Sequence, residues 1–330
     1  MGGEATKLRN AVENFIRKGE GSFDSLLLEV HTYQRQNCAP YGAYSSGFLP
    51  PSDWRGIPAL PLSAFRHADI CTFPTGEAVR TFRTSGTTGE GYGQHHFSTL
   101  DLYQAAALEG WKQAGLPGLP IWGLVPSPSD SPHSSLSCMA GWLISQENFY
   151  WGRWDRLIED LDRRTEPVLL FGTALAFLDL FETLGEKHIS LPAGSAALET
   201  GGYKGTQRDL PKGDLYRLFT EKLGLPTEAV WNEYGMTELS SQFYTRGLDQ
   251  PHRGSPWVRG LVIDPSTGDE VAEGATGVLH IYDLANVDSC CAIQTRDLAI
   301  RQGDGFVLLG RDPSALPRGC SRAADDLLSR

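Results

Sequence analysis

The sequence has no long hydrophobic run and no excess of basic charge. The longest uncharged apolar stretch, Val168–Leu178, is well short of the ~20 residues that span a bilayer. No basic segment followed by an apolar run opens the chain, so a signal peptide is not expected. The 29 Lys and Arg residues are outnumbered by 40 Asp and Glu residues, and no basic stripe of the kind that binds nucleic acid is visible. We therefore expect a soluble, cytoplasmic protein with no transmembrane segment and no nucleic-acid partner.

Cysteine pairs of the CxxC type are also absent. The spacing of the six cysteines fits neither a zinc site nor a disulfide framework. His95 and His96 are adjacent on a predicted strand, where their side chains would diverge, so they do not predict a metal pair. Most of the cysteines are expected to be small buried residues in a reducing compartment. The exception is Cys320, which lies between Arg318 and Arg322. The six cysteines are Cys38, Cys71, Cys138, Cys290, Cys291 and Cys320.

The patterning of the chain predicts an α/β protein with a smaller β-rich part at its C-terminal side. A length of 330 residues allows two domains, and 40% hydrophobic residues suffice for a substantial core. Helical spacing predicts a helix over Phe23–Gln36, a Pro- and Gly-rich connector follows over 40–61, and Thr173 is expected to cap a helix that ends at Leu184. Strands and helices then alternate up to about residue 250, which indicates parallel βαβ units. The predicted segments are 1–60 (helix and connector), 61–250 (α/β body), 251–312 (β-rich subdomain) and 313–330 (tail).

The strongest single signal is a run of glycine and hydroxyl residues, Thr84–Gly89, which follows a predicted strand. Glycines let the backbone approach an anion closely, and hydroxyls add neutral hydrogen-bond donors. The run is not a Walker A loop, because Tyr92 follows Gly91 where a lysine is required. A dinucleotide-binding G-x-G-x-x-G loop is also excluded, since no glycine lies three residues past Gly91. The remaining interpretations are a different phosphate loop and an ordinary turn.

Three later segments make the loop recognisable. Asn232–Glu238, Thr295–Leu298 and Gly310-Arg311 follow it in that order. Together the four segments resemble the phosphate loop, the YGxTE segment, the TGDL segment and the following GR of the adenylate-forming superfamily, which includes acyl-CoA ligases and peptide-synthetase adenylation domains. One departure is Arg296, which stands where that superfamily usually has glycine. Four motifs in this order favour the superfamily over a glycine turn followed by unrelated strands.

A narrower resemblance covers nearly the whole chain from Phe23 onward. Leu60–Phe65, Glu199–Gly205 and Arg318–Ser321 are similar to segments of the acyl-protein synthetases of bacterial luciferase operons, the LuxE family. The last of these segments contains Cys320, and a cysteine in the tail is not a general feature of adenylate-forming enzymes. The resemblance implies an adenylate-forming α/β body, ATP-dependent activation of a long-chain fatty acid, and a cytoplasmic ligase.

The resemblance also implies roles for individual residues. Thr237 would contact the α-phosphate or the substrate carboxylate, Glu238 would ligate Mg²⁺, and Cys320 would accept the acyl group from AMP. Asp297 and Arg311 would hold the ribose of ATP. The residues implied to hold phosphates or frame the adenine are Thr84, Ser85, Gly86, Thr87, Thr88, Gly89, Gly201, Gly202, Tyr234 and Gly235. For some of these residues plainer interpretations stay open: Glu238 as a surface carboxylate, Asp297 as a turn cap, Gly201-Gly202 as a bend, and Tyr234 as a core aromatic.

Two departures from the superfamily bear on the chemistry. The lysine that many members carry just past the phosphate loop is missing, and Lys204 is the nearest candidate to replace it, although a solvated lysine is the plainer interpretation. The superfamily's mobile C-terminal lid domain, with its second lysine, is not expected in the 19 residues that follow Arg311. The resemblance therefore implies transfer of the acyl group to Cys320 and then to a partner fatty-acid reductase or carrier protein.

Two other functions are compatible with the same sequence. One is a small acyl-CoA ligase related to phenylacetate-CoA ligases, which would use free coenzyme A. The other is a nucleotide- or acyl-binding protein without catalytic activity, a reading motivated by the missing lysines. Pyrophosphate exchange that depends on a fatty acid would separate an enzyme from a binding protein, and coenzyme A dependence would separate the two ligases.

Overall fold

The computed structural model describes residues 2–84, 92–201 and 210–311. Its helices are α1 (Gly2–Lys18), α2 (Phe23–Asn37), α3 (Ala39–Ser45), α4 (Ala64–His67), α5 (Asp101–Gln113), α6 (Ser135–Leu143), α7 (Trp154–Asp162), α8 (Ala174–Leu184) and α9 (Lys212–Leu223). Its strands are β1 (Leu60–Pro61), β2 (Arg80–Arg83), β3 (Gln94–Phe97), β4 (Ile121–Leu124), β5 (Leu169–Thr173), β6 (Ala196–Thr200), β7 (Val230–Tyr234), β8 (Phe243–Arg246), β9 (Arg253–Gly254), β10 (Val258–Ile263), β11 (Thr276–Asp283), β12 (Ala292–Gln302) and β13 (Gly305–Arg311). Ser85–Gly89, Gly202, Lys204 and Cys320 lie outside the described residues.

The chain divides into two compact units. The first unit comprises segments 1–110, 236–242 and 251–330, and the second comprises 111–235 and 243–250. The first unit therefore combines residues from the N-terminal, central and C-terminal parts of the sequence.

The second unit is built on a parallel sheet. Strands β4, β5, β6 and β7 are neighbours in chain order and pair in parallel, and β8 is antiparallel to β7. Each parallel connection carries a helix, as the alternating pattern predicts. The side chain of Thr173 caps α8 by accepting a hydrogen bond from the Ala176 N–H at 3.1 Å, as predicted. A buried cluster that includes Phe177, Phe181 and Phe219 packs α8 and α9 against the sheet.

The first unit contains the predicted β-rich part. Strands β10, β11 and β12 are antiparallel neighbours, β13 pairs with β12, and β1 joins β12 in parallel. Strands β2 and β3 form a separate antiparallel pair, the ends of which flank the Thr84–Gly93 segment. The expected α/β body with a smaller β-rich part is confirmed.

The N-terminal region is more helical than predicted. Helix α2 is confirmed, but α1 was not predicted, although Ala5, Leu8, Val12 and Ile16 are buried at helical spacing. The interpretation of 40–61 as a plain connector is wrong, because α3 occupies its first residues. Pro40 lies in the first turn of α3, where a missing N–H leaves no helical hydrogen bond unmade. Among residues 2–84, 92–201 and 210–311, no helix has the length and apolarity needed to cross a membrane.

Candidate functional site

Thr84 lies at the base of the predicted phosphate loop, directly after β2. Its backbone N–H donates to the Gly93 carbonyl at 2.9 Å, and its Oγ1 accepts from the Gly93 N–H at 2.9 Å. A Cβ on Gly93 would lie 3.2 Å from the Thr84 side chain, so the absence of a side chain at 93 permits this close approach. These two bonds extend the β2–β3 pair and fix where the loop begins and ends.

Thr237 and Glu238 lie in a turn of the first unit. Thr237 is half-buried and Glu238 is only 5% exposed, so the interpretation of Glu238 as a surface carboxylate is wrong. The Asn286 side-chain amide donates to the Glu238 carbonyl oxygen at 2.8 Å. A ring nitrogen of His95 lies 2.8 Å from the Thr237 carbonyl oxygen. The backbone of both predicted residues is thus held by buried side chains.

Asp297 and Arg311 are brought together by the pairing of β12 with β13. They are register partners, and Arg311 Nε lies 3.8 Å from Asp297 Oδ1. Asp297 lies inside β12, which excludes its interpretation as a turn cap, and its N–H donates to Thr295 Oγ1 at 3.1 Å. Arg296, the departure from the TGDL pattern, points to solvent. The β-sheet therefore juxtaposes two residues that are 14 positions apart in the sequence.

Gly201 and Tyr234-Gly235 lie at the carboxyl ends of two neighbouring parallel strands in the second unit. Thr200 of β6 is the register partner of the residue before Tyr234 in β7. Gly201 has a φ of +70°, a conformation that favours glycine, and no described residue other than its chain neighbours lies within 4 Å of the place that a Cβ would take. The carboxyl edge of a parallel sheet is where ligands of open α/β sheets bind. Tyr234 is buried, with its ring 6.3 Å from that of Phe243, so its side chain packs within the unit.

Two buried carboxyls that were not predicted as site residues, Glu199 and Glu233, lie at this same edge. Glu199 accepts hydrogen bonds from Asn232 Nδ2 at 2.6 Å and Tyr216 Oη at 3.3 Å. The half-exposed Lys212 ammonium lies 3.8 Å from Glu199, and the Thr200 hydroxyl donates to Glu233. Burial raises the pKa of each carboxyl from 4.5 to about 7, against the opposing effect of these hydrogen bonds. In the sequence, these two carboxyls could have been found as charged residues near the ends of the largely apolar strands β6 and β7.

These raised pKa values predict that the unit loses stability as the pH rises through neutrality. Both folded-state values lie above the ordinary 4.5, so the stabilisation is fully present below pH 4.5 and is lost as the pH rises through about 7. Glu233→Gln removes one ionisation. The substitution should raise the free energy of unfolding at pH 8 by up to about 1.4 kcal/mol for each unit by which the pKa of Glu233 is raised. At pH 5 the free energy of unfolding should change little. Chemical denaturation at the two pH values measures the difference. Glu228→Gln, at an exposed position, is the matched control, and an equal gain at both pH values would contradict the prediction.

The described cysteines divide into buried and half-buried ones. Cys38, Cys71, Cys290 and Cys291 are buried, as predicted, and Cys138 is half-buried. Burial raises the pKa of the Cys38 thiol to about 11, and it also raises the pKa of Cys71, Cys290 and Cys291. Thiols with raised pKa values are poor nucleophiles near neutral pH, because the thiolate is the reactive form.

Magnesium is the metal that the resemblance implies. Among residues 2–84, 92–201 and 210–311, no group of three or more His, Cys, Asp and Glu side chains could hold a metal ion. Mg²⁺ bound to a nucleotide needs only one or two protein carboxylates, because phosphate oxygens and water supply its other ligands. The buried carboxylate of Glu238 is a hard oxygen donor of that kind, so the residues present fit a nucleotide-borne Mg²⁺. His95 and His96 diverge as predicted: His96 lies beside Thr81 and Asp69, away from the partners of His95.

Comparison with known sequences yields one informative relative. No protein-family model matches the chain. A long-chain-fatty-acid–luciferin-component ligase from Aliivibrio fischeri is 25% identical over 139 residues, which are 41% of this chain and 36% of the relative. The match therefore spans about a third of that relative's length. It agrees with the predicted resemblance to the luciferase-operon enzymes.

Solved structures are similar over a larger share of the chain. A 2-hydroxyisobutyryl-CoA ligase in an open conformation, in complex with 2-HIB-AMP and CoA, has a TM-score of 0.65 at 14% identity and covers 88% of this chain and 74% of its own. ATP-bound MatB from Rhodopseudomonas palustris has a TM-score of 0.50 at 18% identity, covering 73% of this chain and 49% of its own. At these identities the likeness concerns the fold. The predicted adenylate-forming fold is confirmed.

Proposed function

We propose that this protein is an ATP-dependent ligase that converts a long-chain fatty acid to an acyl-adenylate and transfers the acyl group to its own Cys320. The observation that carries the proposal is the order of four adenylate-forming motifs on a chain that has the adenylate-forming fold. The name of the Aliivibrio fischeri relative, a long-chain-fatty-acid–luciferin-component ligase, supports the choice of substrate.

In the first step, a carboxylate oxygen of the acid attacks the α-phosphorus of ATP. A new P–O bond forms, the bond between the α-phosphorus and pyrophosphate oxygen breaks, and pyrophosphate leaves. The step joins two anions, so charge compensation and positioning dominate its catalysis. The hydroxyls and N–H groups of Ser85, Gly86, Thr87 and Thr88 would hold the β- and γ-phosphates, and Thr237 would hold the α-phosphate or the carboxylate. Mg²⁺ bound through Glu238 would neutralise phosphate charge.

The remaining predicted residues would recognise the adenosine. Asp297 would accept hydrogen bonds from the ribose hydroxyls, and Arg311, its partner across β12 and β13, would support that carboxylate. Gly201 and Gly202 would let the adenine approach the backbone at the carboxyl end of β6, together with Tyr234 and Gly235 from the end of β7. We infer these roles from motif position and from the strand pairing that places the members of each set together.

In the second step, the Cys320 thiolate attacks the acyl carbonyl carbon. A C–S bond forms, the bond from that carbon to the AMP oxygen breaks, and AMP leaves as an anion, while the thiol proton has gone to solvent. Arg318 and Arg322 are near Cys320 in the sequence, and cations close to a thiol favour its thiolate form. Cys38, Cys71, Cys290 and Cys291 are poor competitors, because burial raises their thiol pKa values. We further propose that a reductase or carrier protein receives the acyl group from Cys320.

A second candidate is an acyl-CoA ligase. The fold likeness to a 2-hydroxyisobutyryl-CoA ligase favours it, because that protein's structure contains both an acyl-adenylate and CoA. In this alternative the thiol of coenzyme A, and not Cys320, attacks the acyl-adenylate. The two candidates share the first step and differ in the nucleophile of the second.

The first step is tested by exchange of labelled pyrophosphate into ATP. With magnesium and a long-chain fatty acid the protein should catalyse exchange, and without the acid it should not. Acid-independent or absent exchange would contradict adenylation. Product that forms only when coenzyme A is added would support the acyl-CoA ligase.

Glu238→Gln refines this test, because it keeps the shape of the side chain and removes its charge. We expect the magnesium concentration at half-maximal exchange to rise about 10- to 100-fold, as losing a charged contact of ~1.5–3 kcal/mol requires. Glu186→Gln, at an exposed position, is the matched control. An unchanged magnesium titration would show that Glu238 does not bind the ion.

A further inference from the structure

The turn that carries Thr237 and Glu238 is held by a set of buried polar side chains, the turn clamp, defined as His95, Asp283 and Asn286. These three side chains are at most 2% exposed. The contacts from His95 and Asn286 to the carbonyls of Thr237 and Glu238 are both 2.8 Å long. Every one of these residues belongs to the first unit.

Asp283 holds Ser240 and Ser241, which lie shortly after the turn. One carboxylate oxygen accepts from the backbone N–H groups of Ser240 and Ser241, both at 2.9 Å. The other oxygen accepts from the Ser241 hydroxyl at 2.7 Å and from the Ala285 N–H at 3.0 Å. Burying a carboxylate is costly unless several donors satisfy it. Four donors around one carboxylate therefore hold this backbone in a single arrangement.

His95 contacts the backbone of Thr237, one of the predicted site residues. A carbonyl oxygen can only accept, so Nδ1 must carry the proton that it donates to Thr237. Nε2 then accepts from the Ser289 hydroxyl at 2.8 Å. Burial lowers the pKa of His95 to about 4, so the ring is neutral at pH 7 and this tautomer persists. The rings of Phe97 and Phe65, with centroids 4.2 and 5.8 Å away, enclose it.

His95 also lies on β3, the strand that follows the predicted phosphate loop. Thr84 and Gly93 close the base of that loop two residues before His95. The hydrogen bond to Thr237 therefore joins the β2–β3 pair to a segment 142 residues away in the sequence. The bond therefore connects the strand after the predicted phosphate loop to the segment that contains Thr237 and Glu238. The proposed function assigns the phosphates of ATP to that loop and to that segment.

We propose that His95 is a positioning residue for adenylation, which fixes the backbone of Thr237 relative to the β2–β3 pair through its Nδ1–H. The inference rests on the proposed function, because it takes Thr237 as the group that contacts the α-phosphate or the carboxylate. His95 itself touches no substrate in this assignment. His95 acts on the orientation of Thr237. Small displacements of a catalytic group lower the reaction rate strongly.

Two isosteric variants test which ring nitrogen matters. The amide nitrogen of an asparagine can occupy the place of Nδ1, whereas that of a glutamine reaches toward Nε2. We expect His95→Asn to retain the affinity for a non-reactive acyl-sulfamoyl adenosine, measured by calorimetry without magnesium. We expect His95→Gln to weaken it about tenfold, because loss of the buried hydrogen bond to the Thr237 carbonyl releases the backbone that orients Thr237 toward the ligand. In pyrophosphate exchange, His95→Gln should lower kcat more than it raises the KM for ATP.

Ser289→Ala keeps the ring and removes only the partner of Nε2, and it serves where a His95 variant fails to fold. We expect a smaller loss of analogue affinity, with thermal unfolding close to that of the wild type. Equal analogue affinities of the Asn and Gln variants, or a lowered melting temperature without a change in affinity, would make His95 a packing residue and overturn the proposal. A wild-type protein that neither binds the analogue nor exchanges pyrophosphate would instead overturn the proposed function, and this assignment with it.

Discussion

Serine in place of Cys320 is expected to abolish covalent acylation of the protein while acid-dependent pyrophosphate exchange continues. A serine hydroxyl is essentially un-ionised at neutral pH, so capture of the acyl group from AMP should nearly stop. The substitution changes nothing in the predicted phosphate loop or at Glu238, so adenylation should persist. The measurement is incubation with ATP, magnesium and a labelled long-chain acid. The wild type should carry label that neutral hydroxylamine releases as from a thioester.

Cys138→Ser is the matched control for this experiment. Among the described cysteines Cys138 is half-buried and the others are buried, so it is the strongest rival for the label. We expect Cys138→Ser to acylate like the wild type, and mass spectrometry to find the adduct on the peptide that follows Arg318. Label on Cys138 instead would keep the two-step chemistry and refute the residue. No covalent label, with product formed only in the presence of coenzyme A, would favour the acyl-CoA ligase.

The second large effect is expected from the double substitution of Thr87 and Thr88 by valine. Valine keeps the shape of threonine and removes the hydroxyl, so the variant loses two donors that would each contribute ~1–3 kcal/mol to a charged partner. Pyrophosphate exchange should therefore fall by about one to four orders of magnitude. The assay is the same exchange reaction. Circular dichroism and thermal unfolding show whether the variant is folded.

Thr75→Val is the control for the threonine variants, because Thr75 is exposed on a short 3-10 helix before β2. We expect it to leave exchange unchanged. A double variant that folds and retains full acid-dependent exchange would mean that Thr84–Gly89 is a turn and not a phosphate loop. A double variant that loses exchange only because it unfolds would be recognised by its melting curve.

Local pattern was enough for the elements with strong periodicity or clear caps. Helix α8 follows from Thr173 and an apolar face, and α2 from the spacing of its apolar residues. Alternation of strands and helices predicted that strands β4 to β7 are parallel, because a parallel pair requires a crossover connection. Helix α3 was not predicted, because its residues were assigned to a Pro- and Gly-rich connector, although a proline is tolerated in a helix's first turn. The helix outcomes depend on residues within one or two turns of each other.

The motifs determined the chemistry that this protein is predicted to perform, and the tertiary structure decided which side chains surround them. Asp297 meets Arg311 because β12 pairs with β13 in one register. Glu199 and Glu233 lie at one sheet edge because β6 pairs with β7. The contact between His95 and Thr237 spans 142 residues. A buried histidine or carboxylate must find partners to offset its desolvation, but the sequence does not specify which distant groups will supply them. Only the packing of the chain brings those groups within hydrogen-bond distance.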